Sequence, residues 1–276
     1  MNRLSFRGSI LILILALSLT IFGCIKRAPG PGGTDQAIAE PAPTPPPPPA
    51  PEMKIIKISG LNAKNRFQVK LEWTGPEPES WKINRWMMMR DTTGQTQSLL
   101  VIFDQEFMIR PGEPRYLNVQ AVCINPALPP ARPLIIEYEG APHYELTNEI
   151  PNPDIVKVIT AVESVETGME AMMPRLTFSG EYYELSNPQP MDKVYLDIVI
   201  WDLTGSTPRP FISQTVIEGA VIVAAHGGMS SADYATYLQK LIPGLTQGDA
   251  RAEVKRNRKR INTLLTLAGL AAQLKR

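Results

Sequence analysis

The chain is poor in cysteine and histidine and almost neutral, and each shortage closes off a class of protein. Its 276 residues hold two cysteines, Cys24 and Cys123, which leaves no disulfide framework to build. The two histidines, His143 and His226, form no ligand-spaced pair, so a histidine-based metal centre or an imidazole-driven hydrolase has little to work with. A formal net charge of +1 offers no global field to nucleic acid or to an acidic polymer, and any electrostatic argument has to be local. The leading apolar run, Ile10 to Leu19, falls well short of the ~20 residues of a spanning helix. No G-x-S-x-G elbow accompanies Ser230 and Ser231, and no repeat of solenoid period is present.

What is present begins at the N-terminus. Arg3 and Arg7 precede the apolar run, which closes on Ile21-Phe22-Gly23-Cys24. A charged start, a short apolar stretch and a small residue before the cut are the parts of a secretory signal. With Ile21, Gly23 and Cys24 in place, residues 1–23 resemble a prokaryotic lipoprotein signal peptide, whose lipobox ends on the cysteine that is lipidated. The resemblance implies cleavage before Cys24, acylation there with palmitate-type chains, and retention on the cell membrane or outer membrane, facing the extracytoplasmic side. Two or more chains, each adding roughly 0.8 kcal/mol per buried methylene, give stable anchoring. An uncleaved signal anchor and an ordinary cleaved signal are the alternatives.

Residues 24–53 run through Ala28-Pro29-Gly30-Pro31-Gly32-Gly33 and the proline tract Pro41 to Pro51. Such a stretch cannot form a core; it favours polyproline II at ~3.1 Å per residue and is expected to be a semi-rigid tether.

Beyond it, Arg66 to Trp73 alternates polar and apolar residues throughout, the pattern of a half-buried strand. Weaker versions occur at Lys54 to Ile58, Lys82 to Met89, Ser98 to Phe103, Arg115 to Val122 and Leu134 to Tyr138, separated by turn signals such as Gly75-Pro76, Thr93-Gly94 and Pro111-Gly112. Residues 54–140 are therefore expected to form an antiparallel β-sandwich of immunoglobulin-like type. Residues 141–276 read as mainly helical. Asn152-Pro153-Asp154 opens a helix with Ile155, Val158, Ile159, Val162 and Val165 on one face and Gly168 as its stop. Thr177 to Leu185 returns to strand, and Val194 to Leu203 fits either a strand or a helix. Thr207-Pro208, Ser230 or Ser231, and Asp249 open three further helices, the last running to the C-terminus. Strands first and helices later make the expected class α+β.

Candidate chemistry is thin. His226-Gly227-Gly228 lacks a nucleophile, and Asp192, Asp197 and Asp202 are spaced too far apart for a calcium loop. Cys123 reads first as a small buried hydrophobe and second as a reactive thiol. A strand-end cysteine, followed later by Ile200-Trp201, weakly resembles the internal thioester domains of bacterial surface adhesins; the glutamine position of that family is Asp197 here, so the resemblance implies a degenerate domain at most. The densest charge is Arg251, Lys255, Arg256, Arg258, Lys259 and Arg260, followed by Ile261, Leu264, Leu265, Leu267, Leu270 and Leu274. This segment is expected either to dock by its leucines with a solvated basic face or to lie against an anionic membrane or polymer.

The reading is a lipid-anchored envelope protein with a non-catalytic interaction or structural role. Its partners would be the membrane through Cys24 and an envelope protein or polymer, without nucleic acid, metal or cofactor. The alternatives are an envelope enzyme using carboxylates such as Glu137, Glu139 and Asp154, or a degenerate thioester-type surface adhesin.

Overall fold

In the computed structural model, the described residues are 50–60, 66–125, 127–128, 144–179, 182–202, 204, 209–242 and 244–276. The signal stretch, nearly all of the proline-rich segment and the strand expected at Leu134 to Tyr138 lie outside them.

The expectation for Arg66 to Trp73 holds residue for residue. This strand, β2 (Arg66–Trp73), buries Phe67, Val69, Leu71 and Trp73 and turns Gln68, Lys70 and Glu72 away from the core. It pairs antiparallel with β1 (Met53–Gly60) on one side. On the other it pairs with β7 (Arg115–Cys123). The turn after β2 needs glycine, because a Cβ on Gly75 would stand 2.4 Å from the Trp73 ring. Between β2 and β7 the chain makes β3 (Glu79–Ile83), β4 (Met88–Asp91), β5 (Leu99–Val101) and β6 (Gln105–Ile109). Both β3–β6 and β4–β5 are antiparallel pairs, the two halves of one long irregular hairpin. Pro111-Gly112 turns β6 into β7, with Gly112 at φ +70 and the Glu113 N–H donating to the Arg110 carbonyl at 3.3 Å.

The α+β class is correct, but the strands do not form the expected immunoglobulin-like sandwich. A strand the sequence pattern did not reveal, β8 (Tyr144–Thr147), pairs with β4 and touches β1 through Tyr144 opposite Ile55. That contact closes β1-β2-β7-β5-β4-β8 into a six-stranded antiparallel barrel. Two facing sheets need free edges; here β8 joins both edges, and a register shift in β1 between Ile55 and Lys57 adds the local bend that closure requires.

The first helix, α1 (Pro153–Met172), starts at Asn152, whose side chain accepts from the Asp154 N–H at 2.9 Å. It buries Ile155, Val158, Ile159, Val162 and Val165 as the spacing demanded, then continues past Gly168, which is a contact point and not a stop. A Cβ there would lie 2.2 Å from the Tyr195 ring of α2 (Asp192–Ile198), so the missing side chain lets the two helices meet. Between them lie a single 3₁₀ turn and the hairpin β9 (Leu176–Ser179) and β10 (Tyr182–Leu185). The ambiguous stretch from Val194 is both things in turn: the end of α2, then β11 (Ile200–Asp202), paired with β12 (Arg209–Phe211).

The next helix is α3 (Gln214–Ala225), capped by Ser213; it starts later than Thr207-Pro208, which lies outside the described residues. Every residue from Val216 to Ala224 is buried, so α3 is the axle of the helical layer. The two-residue β13 (Met229–Ser230) leads into α4 (Ser231–Leu241), where Ser230 is the cap. Thr246 caps α5 (Gln247–Leu267). That helix stops short of the C-terminus: Gly269, at φ +69, ends it, and the tail returns as β14 (Leu274–Lys275), parallel to β13. Residues from Pro49 to Arg276 form one compact unit with a single continuous apolar core. No helix among the described residues is long and apolar enough to cross a membrane.

Candidate functional site

The six basic residues singled out in the sequence all fall on α5, and the helix sorts them. Its apolar side, Ala250, Val254, Ile261, Leu264 and Leu265, is buried against the body. The leucine-docked arrangement is thus the one adopted. Arg256 is held by Glu253 at 2.5 Å, one helical turn back. Arg260 reaches the Arg256 carbonyl at 3.5 Å. Lys259 bonds to Asp197 of α2 at 2.9 Å, and the same carboxylate takes Lys193 at 3.4 Å. The hydrogen bond from Lys259, reinforced by Lys193, holds the Asp197 carboxyl below its ordinary value. Arg251, Lys255 and Arg258 make no ion pair among the described residues.

Steps of four and three along a helix return to one side, so Arg251, Lys255, Arg258 and Asn262 form a single stripe. Beside it opens a surface groove of about 430 Å³, lined by Lys255, Arg258, Lys259, Asn262, Thr263 and Thr266. Thr263 and Thr266 donate to the carbonyls of Lys259 and Asn262, and Asn262 clasps the backbone of Leu274, so the groove floor is fixed by its own hydrogen bonds. Lys193 and the three neutral residues were not singled out in the sequence. Asn262, Thr263 and Thr266 could have been, by extending the basic stripe another two turns; Lys193 could not, because only the fold brings α2 beside α5.

A second polar cluster lies deep in the seam between barrel and helices. Cys123, at the end of β7, is fully buried beside Tyr237. The Tyr237 hydroxyl donates to Gln97 Oε1 at 3.4 Å, and Gln97 donates to the Leu128 carbonyl at 2.8 Å. Tyr234 stacks beside Tyr237 with ring centroids 6.2 Å apart, and its hydroxyl end faces Gly219. Burial, added to by the nearby charge of Glu218, pushes the Cys123 thiol well above its ordinary range and raises both tyrosines. A thiol so held is a weak nucleophile at neutral pH.

No family model, curated protein or solved structure matches this chain. Cys24, His143, Glu137 and Glu139 lie outside the described residues. Asp154 bonds to Lys157 at 2.7 Å in the first turn of α1, where its negative charge suits the positive end of the helix. Asp192 takes a two-pronged bond from Arg175, 2.8 Å on each side, which holds its carboxyl below the ordinary value. Asp202 bonds to Thr204, and His226 caps the end of α3. Trp201 packs edge-on against Phe178 at 5.2 Å in the two small hairpins. Among the described residues no group of three His, Cys, Asp or Glu side chains is arranged to hold a metal.

Proposed function

We propose that this is a lipid-anchored cell-envelope protein whose folded body has a non-catalytic interaction or structural role, with the basic face of α5 as its contact surface. The observation that carries the reading is the order of three segments along the chain. A signal-like start ending on Ile21-Phe22-Gly23-Cys24 is followed by a proline-rich spacer and then by one compact unit from Pro49. Lipid on Cys24 would hold the body near a membrane, and the spacer would set its reach. The body's clearest exposed chemistry among the described residues is cationic: Arg251 and Lys255 are exposed and Arg258 half-buried along one stripe of α5.

Metabolic labelling with an alkyne analogue of palmitate tests this. Wild-type protein should take up the label and fractionate with membranes, and C24A should do neither. Equal labelling of C24A, or none in the wild type, would remove the lipid anchor from the account.

A further inference from the structure

The cationic surface is built by two helices, and its shape selects among anionic partners. Lys193 on α2 and Lys259 on α5 converge on Asp197, while Lys255 and Arg258 continue the positive surface along the groove. Asp197, the carboxylate between Lys193 and Lys259, is already engaged by both.

We infer that the groove along α5, flanked by Lys193 of α2, binds a flexible, phosphate-bearing anionic polymer laid along α5. A flat bilayer fits less well for two reasons. A helix that rests in a membrane interface needs an apolar face to sink below the headgroups, and the apolar face of α5 is buried in the body. The surface beside the cations is lined by lysine, arginine, asparagine and threonine, which offer no large apolar side chain to sink below the headgroups. A single-stranded nucleic acid fits less well again, because its bases need aromatic platforms to stack on and the groove lining has none. A chain of phosphates needs only cations at regular intervals. From Arg251 to Lys259 the helix supplies them over about 12 Å, at its 1.5 Å rise per residue. Arginine adds two-pronged bonds to phosphate oxygens, and the lysines add point charge. The inference rests on the envelope reading only for where such a polymer would be met.

The test uses the full-length protein in detergent and inorganic polyphosphate of about 50 units as the probe, followed by fluorescence anisotropy. Binding should be saturable. With Arg251, Lys255 and Arg258 engaged, counterion release at the single-strand slope predicts an affinity drop of roughly 20-fold between 50 and 200 mM salt. K255E/R258E should weaken binding at least tenfold, while R110E/R115E, the same charge change at exposed residues just after β6 and at the start of β7, should alter it less than twofold. If charge reversal unfolds the chain, K255Q/R258Q must give the same ordering. Lysine acylation footprinting separates the sources of negative charge. Polyphosphate should protect Lys255 and Lys259, and phosphatidylglycerol vesicles without polymer should not.

Absence of binding, equal loss in the two charge-reversal variants, tighter binding of single-stranded DNA of matched charge, or protection by phosphatidylglycerol alone would each overturn the inference. The polyphosphate measurement reads the same whether or not Cys24 carries lipid, so its failure is distinct from failure of the anchoring proposal.

Discussion

The barrel and the helical layer bury comparable apolar residues by different geometry, and the difference decides where each leaves its charge. In the barrel, β2 alternates one residue in and one out, so its charges Lys70 and Glu72 stand singly between buried residues, with Lys57 opposite Lys70 and Lys54 opposite Glu72 across the ladder. In the helical layer, α3 is buried all round and leaves no charged surface, whereas α5 covers it with one side only. Positive charge is therefore pushed onto the remaining side of one helix. A local concentration of cations arises on a chain whose net charge is +1.

The largest effects should come from testing whether barrel and helices fold as one body. Leu71 in β2 and Leu264 in α5 are both fully buried. Leu71→Ala and Leu264→Ala should each cost about 2–5 kcal/mol in urea unfolding. Both should shift the same single transition, because the two regions share one core. Two transitions, each moved by only one substitution, would split the comparison into separate domains.

A smaller effect sharpens the helix-packing side. Gly168→Ala places a methyl 2.2 Å from the Tyr195 ring and should destabilise by about 1–3 kcal/mol. Tyr195→Ala should relieve that cost, so the double variant should be less damaged than the sum of the singles by at least ~0.5 kcal/mol. Strict additivity would show that Gly168 does not serve this contact.

The smallest effect is a pH response. The hydrogen bonds from Arg175 hold the folded Asp192 pKa below its ordinary value of 3.8. A lowered carboxylate stabilises the fold fully above 3.8 and loses that contribution as pH falls through the lower folded value. Thermal unfolding of wild type should therefore worsen below pH 3.8, and Asp192→Asn should flatten that part of the profile. An unchanged acid limb would show the pair to be neutral in stability.

How much was legible in the sequence follows from the same geometry. The strand β2 was readable because alternation is a local signal, and the stripe of α1 was readable because its period is 3.6. Closure by β8 was not, since four residues, Tyr144 to Thr147, carry too short a pattern to show that they pair with two strands. Gly168 was misread because a glycine that ends a helix and one that admits a neighbour look alike until Tyr195 is in place. The basic residues of α5 were visible as a run, but Lys193 and Asp197 join them only through the packing of α2 on α5. The seam around Cys123 was hidden for the same reason: Gln97, Glu218, Tyr234 and Tyr237 come from distant segments. A lone glutamate inside the apolar run of α3 was the only local hint.

The most direct test of the anchoring proposal is the intact mass of the mature protein extracted from membranes. The account predicts a chain beginning at Cys24 and heavier than its sequence by a lipid group that carries two or three acyl chains. A chain that still carries Met1 to Gly23, unmodified and recovered without detergent, would contradict it.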